Sequence, residues 1–323
     1  RRDAGGPGRG NGKPSVSSML SPALRYFLEV VRCGSIRLAA ERLHVAPSAI
    51  SRQIVLLERE VGAPLLVRTQ RGVLPTEQGR LVALYGNRVG RGADRLRMSL
   101  DDLGQVRRGR VSIATVEGML DQVLPNALLS FRAAHPGVVV SVQVAGTHQV
   151  AEAVLREDVE IGIALEAPRR SELLLRQRWA QPLHAVVHPE HALAGRSRVS
   201  LGEVLTYPHV LPDRTFGIRM LTERAAAETG SSAAPLVETN SLDLCRSCAR
   251  SGAALTILPP MATARDVAAG HLLSIPLTDP MVRSATIDVF TAQSRPTSKA
   301  ADALLVHIRR ALDEQLQVGL GVF

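Results

Sequence analysis

The sequence predicts an N-terminal, all-α winged helix-turn-helix domain, then a long linker helix, then a larger α/β domain of two subdomains. Three observations lead to this prediction. Hydrophobic residues recur at helical spacing to about residue 107, and the excess positive charge lies in the same part of the chain. From Arg110 onward, strand patterns alternate with helix patterns. A chain of 323 residues also exceeds one ordinary hydrophobic core, so several domains are expected.

The charge is divided unevenly along the chain. Residues 1–110 contain 20 Arg and Lys against 9 Asp and Glu, which is a net charge of +11. Residues 111–323 contain 19 against 21, which is −2. This division is typical of a polyanion-binding module joined to a neutral module, and a solvated basic surface is the alternative.

Composition argues against membrane and secreted classes. No apolar run approaches the roughly 20 residues of a membrane span, and no basic-then-apolar secretory signal is found. Three cysteines do not suggest a disulfide framework, so a reducing cytoplasm is expected. Residues 1–18 are rich in Gly, Pro and Arg, and we expect a disordered extension with Met19 as the natural start. A basic arm that follows a DNA groove is the alternative.

The segment 19–76 is predicted to form three helices and a basic wing. Ser35 is suited to cap the second helix, and Pro47 is suited to the first turn of the third, where its missing N–H costs nothing. Two short helices joined by a tight turn, at about residues 36–55, are typical of a helix-turn-helix. Two short strands around Arg71 follow and form the wing.

The outward face of the third helix carries the small and polar side chains that a recognition helix needs in the major groove. Ile50 and Ile54 are expected to anchor the helix inward. The predicted DNA-binding residues are Ser35, Pro47, Ser48, Ala49, Ser51, Arg52, Arg68, Arg71 and Thr76. Arg52 is the best candidate for a guanine contact, while the residues at the second-helix cap and in the wing are expected to hold phosphates.

A long amphipathic helix is predicted over residues 77–107. Its apolar stripe follows spacings of three or four: Leu81, Tyr85, Val89, Gly92, Leu96, Leu100 and Leu103. Its glycines each weaken helicity by roughly 1 kcal/mol relative to Ala. No surface within the chain is assigned to cover the stripe, so we expect a partner helix and hence dimerisation.

Strands and helices alternate over residues 108–316, which predicts a parallel sheet with helices on its faces. The pattern restarts near residue 182, which indicates two subdomains with a cleft between them. Subdomain I is predicted at about 108–181 and 285–316, and subdomain II at about 182–284.

Catalytic and metal-binding patterns are weak. Cys245 and Cys248 lie on a helical pattern, without a second pair or a nearby His to complete four ligands. His184, His188 and His191 cluster without a carboxylate at ligand spacing, so we interpret them as surface histidines. The sequence contains no nucleophile-elbow, zinc-protease, P-loop or dinucleotide motif. We therefore predict no catalytic residue, no metal and no cofactor.

The stretch from Leu24 to Gly79 closely resembles, without gaps, the DNA-binding domain of LysR-type transcriptional regulators. The matching residues include Phe27, Gly34, Ser35, Ala39, Ala40, Leu43, Ser51, Ile54, Leu57, Glu58, Gly62, Leu65, Arg68 and Thr76. The chain onward to about residue 310 resembles the effector-binding half of that family, in stretches such as LPNALLSFRAAHPGVVVSVQVAG and SGAALTILP.

This resemblance implies a periplasmic-binding-protein-like pair of subdomains that bind a small-molecule effector in their cleft. It implies a cytoplasmic regulator that binds double-stranded promoter DNA, dimerises through the long helix and pairs dimers into tetramers. RNA polymerase is a further candidate partner, and no membrane partner is expected. Pro47 stands where many members have Gln, and Gly118 where members often place a hydroxyl.

The effector site is expected beyond the carboxyl ends of the strands, where ligands of open α/β sheets bind. Its predicted residues are Thr115, Glu117, Gly118, Thr147, Phe216 and Arg219. The resemblance places Thr147 and Phe216 at cleft-lining positions. Glu117 would oppose a carboxylate, so a neutral or aromatic effector is expected, with Arg219 neutralising Glu117 or receiving a carboxylate itself.

Two other functions stay open at this point. One is a constitutive DNA-binding or architectural protein without an effector. The other is an α/β half that is a solute-binding module or an enzyme tethered to DNA. A bound ligand that is returned unchanged indicates a regulator, and turnover indicates an enzyme.

Overall fold

The computed structural model describes residues 20–69, 72–101 and 109–320. The chain divides into two compact units between residues 103 and 104, and each is described by itself. The predicted extension at residues 1–18 and Arg71 of the wing lie outside the described residues. Among the helices of the described ranges, none is long and apolar enough to cross a membrane.

The first unit contains three short helices, a two-stranded antiparallel wing and a long helix. Its elements are α1 (Pro22–Cys33), α2 (Ile36–Leu43), α3 (Pro47–Val61), β1 (Leu66–Thr69), β2 (Gly72–Pro75) and α4 (Glu77–Asp101). Ser21 and Ser35 accept backbone N–H groups at the starts of α1 and α2, as good N-caps do. The core between these helices is built on fully buried Phe27, Ile50 and Leu65.

Helix α4 packs on α1 through small residues. Ala83 is buried, and a Cβ placed on Gly86 would lie 2.8 Å from Leu24 Cδ1. Gly86 therefore permits the two helices to approach closely, a benefit that offsets its low helix propensity. This face is distinct from the predicted apolar stripe, of which Leu81 and Tyr85 are 64% and 65% exposed.

The second unit contains two five-stranded sheets. Its strands are β3 (Gly109–Thr115), β4 (Val138–Val144), β5 (Ile161–Leu165), β6 (Leu173–Ala180), β7 (His184–Val187), β8 (His209–Pro212), β9 (Val237–Thr239), β10 (Leu255–Leu258), β11 (Leu273–Pro276) and β12 (Thr286–Ala292). Its helices are α5 (Val123–Ala134), α6 (Thr147–Leu155), α7 (Leu201–Val204), α8 (Gly217–Glu228), α9 (Leu242–Arg250), α10 (Ala264–Ala268), α11 (Pro280–Arg283) and α12 (Lys299–Leu320). Short 3₁₀ turns occur at Glu117–Met119 and Pro260–Ala262.

The first sheet has the strand order β4-β3-β5-β12-β6, and the second has the order β11-β7-β10-β8-β9. The chain passes from the first sheet to the second between β6 and β7, and returns between β11 and β12. Both sheets are mixed, which corrects the prediction of a parallel sheet. Strand β12 is antiparallel to β5 and β6, and β7 is antiparallel to β10 and β11.

Strand β6 was not predicted from the sequence, because it is an edge strand without a regular alternation of buried and exposed residues. Specific side-chain contacts hold it in place. Arg178 makes a bidentate ion pair with Asp288 of β12, at 2.7 and 3.0 Å. Trp179 Nε1 donates to Asp313 Oδ1 of α12 at 2.8 Å. Such contacts between residues distant in sequence leave no local signal.

His184 is buried in β7, so its interpretation as a surface histidine was wrong. Its Nδ1 lies 3.0 Å from the Ser274 hydroxyl of β11. Burial lowers the pKa of His184 to about 4, and hydrogen bonding to Ser274 offsets only part of this effect. The second sheet therefore contains a neutral imidazole that resists protonation while the protein is folded.

This burial predicts acid sensitivity. Between pH 6.5 and about 4 the unfolded chain binds a proton at His184 that the folded chain does not. The contribution of His184 to the free energy of unfolding should thus be fully present above pH 6.5. It should fall by up to about 3 kcal/mol as the pH approaches 4. Urea unfolding followed across this range measures the slope. His184→Asn should remove it, whereas the exposed-site control His271→Asn should keep it; an unchanged slope in His184→Asn refutes the assignment.

Candidate nucleic-acid interface and ligand cleft

Helix α3 is anchored on one side and open on the other. The anchors are Ile50, Ile54 and Leu57, which are 0%, 5% and 8% exposed. Ser48 and Arg52 are exposed on the opposite side, and Pro47 is exposed at the start of the helix. Small residues at the start of the helix and an arginine one turn later suit entry into a major groove.

Ser51 and Ala49 are half-buried beside this face. The Ser51 hydroxyl donates to the Pro47 carbonyl at 3.1 Å, so it can accept a hydrogen bond from a base, but it can donate to one only if that bond is exchanged. Sequence analysis missed Arg59, which is exposed two helical turns after Arg52 and thus on the same face. Helical spacing from Arg52 was the signal that could have found it.

The predicted phosphate-binding residues have different environments. Ser35 caps α2 by accepting the Leu38 N–H at 3.3 Å, and Arg68 is exposed on β1. Thr76 differs from the prediction, because its hydroxyl is used inside the unit. It donates to the Pro64 carbonyl at 2.8 Å and accepts the Gly79 N–H at 2.9 Å. Thr76 therefore has a structural role at the start of α4.

The wing is fixed relative to α3 by backbone contacts. Glu58 of α3 accepts the N–H groups of Leu65 and Leu66 at 2.8 and 3.3 Å. On β2, Gly72 has a φ of +131°, and a Cβ at this position would lie 2.4 Å from the Gly34 carbonyl oxygen. Only glycine fits this approach. The wing strands are thereby held at a set position beside the recognition face.

In the second unit, the carboxyl ends of parallel strands meet at one edge of the first sheet. Thr115 at the end of β3 is paired with Val144 of β4 and with Ile163 of β5. The segments that follow these strands are thus brought together, as the sequence predicted for Thr115–Gly118 and the start of α6. Residues at this edge contact the starts of α8 and α9, beside the second sheet.

Thr147 closes one side of the cleft. Its side chain is fully buried, and its hydroxyl donates to the Leu165 carbonyl at 3.0 Å while accepting the Gly217 N–H at 3.1 Å. A Cβ on Gly217 would lie 2.2 Å from the Leu165 carbonyl oxygen, and one on Gly146 would lie 2.6 Å from that of Thr215. The two subdomains therefore meet here backbone against backbone.

Glu117 and Gly118 close the other side. The Glu117 carboxylate accepts the N–H groups of Leu242 and Asp243, at 2.9 and 3.0 Å, in the first turn of α9. A Cβ on Gly118 would lie 3.6 Å from Ala262 Cβ, in ordinary contact. The predicted cleft residues are thus in contact with the second subdomain, with their polar groups already satisfied.

Arg219 does not neutralise Glu117, which corrects one expectation. Its guanidinium is 5% exposed and donates to Glu223 and Glu238, at 2.8 Å in each case. It also donates to the Pro212 carbonyl at 3.3 Å. Phe216, which precedes α8, is 5% exposed and is part of the hydrophobic core. Arg219 and Phe216 therefore stabilise the start of α8.

The cysteine pair on α9 has no feature of a reactive or metal site. Cys245 is buried, and desolvation raises the pKa of its thiol to about 12. Cys248 is half-buried on the same helix. Within residues 20–69, 72–101 and 109–320, no group of three or more His, Cys, Asp or Glu is placed to hold a metal ion.

Two family profiles match the chain. Residues 22–80 match the "Bacterial regulatory helix-turn-helix protein, lysR family", and residues 104–313 match the "LysR substrate binding domain". The chain is 28% identical over 235 residues to the RuBisCO operon transcriptional regulator of Allochromatium vinosum, covering 73% of this chain and 78% of the relative. It is also 28% identical over 240 residues to the nitrogen assimilation regulatory protein nac of Klebsiella aerogenes, covering 74% and 78%.

Solved structures agree in fold. Full-length CbnR in complex with its target DNA has a TM-score of 0.66 at 22% identity, covering 90% of this chain and 98% of that chain. A single-site variant of full-length OxyR from Pseudomonas aeruginosa has a TM-score of 0.68 at 18% identity, covering 93% and 96%. With both family profiles matched in order, the chain belongs to the LysR family: it is a transcriptional regulator with a helix-turn-helix DNA-binding domain and a two-subdomain effector-binding domain.

Proposed function

We propose that this regulator binds double-stranded promoter DNA in the cytoplasm through α3 and the wing, under the control of a small molecule held between its two sheets. The observation that carries the DNA-binding part is the exposed face of α3, where Ser48 and Arg52 lie opposite three buried anchors. The solved complex of the similar protein CbnR with its target DNA supports it.

The DNA-binding residues have distinct proposed roles. Arg52 reads a guanine edge, and Ser48 and Ser51 reach bases or phosphates near the helix start. Pro47 and Ala49, which are small, permit close approach to the groove. The remaining contacts hold phosphates and thereby set register: Ser35, Arg59, Arg68 and Arg71.

We propose that the DNA-binding domain spans residues 19–76, the dimerisation helix 77–107 and the effector-binding domain 108–316. Leu81 and Tyr85 leave an exposed apolar face on α4 that a second copy of the chain would cover. Dimers that pair into tetramers would place several recognition helices on one promoter. RNA polymerase is a further proposed partner at that promoter.

For the effector, we propose a neutral or aromatic compound between the sheets, bordered by Thr115, Glu117, Gly118 and Thr147. The site is closed by internal hydrogen bonds, so an effector enters only when these bonds are exchanged. Phe216 and Arg219 support the site indirectly, because they hold α8 in place. The same closed contacts favour a second candidate, which is a regulator that binds DNA constitutively without an effector.

Two measurements test this proposal. Selection of binding sites from a random duplex library should enrich a sequence with two half-sites, and no enrichment would contradict sequence-specific binding. Thermal unfolding in the presence of a compound library should identify a stabilising compound that is recovered unchanged. A screen without a stabilising compound would favour the constitutive candidate.

Arg52→Ala should lower affinity for the selected site by about 1–3 kcal/mol, because one bidentate base contact is lost. Affinity for unrelated DNA should change much less, since phosphate contacts dominate that binding. Fluorescence anisotropy with both duplexes measures the difference. Arg198→Ala, at an exposed arginine of the effector-binding domain, is the matched control. Equal loss on both duplexes would mean that Arg52 holds a phosphate.

The double variant Leu81→Glu/Tyr85→Glu should be monomeric, because four buried charges in the dimer would replace an apolar contact. Light scattering reports the mass directly. The control Arg156→Gln/Arg198→Gln, on exposed positions of the other unit, changes the net charge by the same amount and should keep the wild-type mass. A dimeric Leu81→Glu/Tyr85→Glu protein would exclude this face of α4. The apolar positions 96 and 100, whose side chains lie outside the described set, would then be tested in the same way.

Thr147→Val should destabilise the effector-binding domain by about 1–3 kcal/mol, because the Gly217 N–H and the Leu165 carbonyl are left buried without their partner. Thr147→Ser, which keeps the hydroxyl, should lose much less. Urea unfolding of the full chain measures both variants. A Val variant as stable as the Ser variant would show that the hydroxyl does not bridge the subdomains.

A further inference from the structure

The Glu117 carboxylate is placed as a bound anionic ligand would be. It lies on the 3₁₀ turn that follows β3 of the first sheet, yet its two oxygens accept N–H groups of α9, beside the second sheet. Each oxygen takes one donor, Leu242 for Oε2 and Asp243 for Oε1. The contact therefore crosses the cleft and joins the two subdomains.

Each N–H group in the first turn of α9 has an acceptor, which is supplied by Glu117 or Ser241. Helix starts leave N–H groups unpaired and carry a partial positive charge that attracts anions. Glu117 accepts the first two N–H groups, and the Ser241 hydroxyl accepts the third, from Leu244, at 3.3 Å. An acidic group of a small molecule would find these donors taken.

Neighbouring residues extend the contact along one seam. The Asp121 carbonyl accepts a hydrogen bond from Arg265, and the Asp121 carboxylate lies 3.7 Å from Arg246 Nη1. Gly118, between them, lies near Ala262 and Leu242, because a Cβ added to it would lie 3.6 and 3.8 Å from their side chains. Each of these contacts, made by residues 117–121, joins subdomain I to subdomain II.

We propose that Glu117 is an internal ligand that holds the cleft closed in the effector-free protein, and that opening the cleft requires this carboxylate to leave α9. This inference rests on the proposed effector site, and it adds which ligands that site accepts. Ligands of the wild-type cleft lack an acidic group beside α9, whereas a protein without the Glu117 carboxylate gains a site for small carboxylates there.

The test follows hydrogen exchange of the α9 start by mass spectrometry of the full chain. In wild type, peptides that contain Leu242 and Asp243 should exchange slowly, and sodium formate should not change the rate. In Glu117→Ala the rate should rise about tenfold, which is the usual scale of a lost helix cap. Formate, but not chloride at the same ionic strength, should slow it again by filling the vacated position.

Two further variants keep the test decisive. Glu117→Gln retains one acceptor without the charge, so its exchange rate should lie between those of wild type and Glu117→Ala. It also supplies the measurement if Glu117→Ala does not fold. Glu228→Ala, at an exposed glutamate on α8, should behave as wild type.

Wild-type exchange in both Glu117 variants, or faster exchange without a formate effect, would overturn the proposal. Neither readout uses DNA or an effector, so a failure here is distinct from a failure of the proposed function.

Discussion

The second unit depends on satisfying buried backbone groups where two sheets meet. Strand ends and helix starts carry N–H and carbonyl groups that lose water when the cleft closes, and each one left unpaired costs free energy. Thr147 supplies one hydroxyl that serves both a carbonyl and an N–H, and Glu117 supplies one carboxylate for two N–H groups. Two side chains of the first subdomain therefore satisfy N–H groups of the second subdomain where the two meet.

The first unit uses the same principle with a different result. The Glu58 carboxylate, which accepts two N–H groups at the start of the wing, and the close approach of Gly72 to Gly34 fix the wing by contacts that no effector is expected to exchange. The core of this unit is built on fully buried Phe27, Ile50 and Leu65, which pack the helices together behind the recognition face. The chain thus combines a wing fixed beside the recognition helix with two subdomains that are joined in part by exchangeable hydrogen bonds, which is an arrangement suited to regulation.

The sequence predicted best what local rules control. Helices α2 and α3 begin where predicted because Ser35 and Pro47 mark their starts through capping and φ preferences. The convergence of Thr115 and Thr147 was expected because ligand sites of open α/β sheets lie beyond the carboxyl ends of the strands, and because the family resemblance places Thr147 in the cleft. Strand β6, the antiparallel β12, buried His184 and the partners of Arg219 were missed, because each depends on residues distant in the chain. For Glu117 only the effect of its negative charge on an effector was predicted. Its contact with α9 was missed, because the sequence does not show which helix start its carboxylate contacts.

Closure of the effector-free cleft by internal groups can be measured as a distance between the two subdomains. Pulsed electron spin resonance does this most directly, with spin labels introduced through non-natural amino acids at the exposed positions Arg132 and Arg224, one in each subdomain. Without ligand, the distance distribution should be single and narrow, and it should broaden toward other distances when Glu117 and Thr147 are both replaced by Ala. A broad distribution in the unsubstituted protein, or an unchanged narrow one in the double variant, would contradict closure by these two side chains.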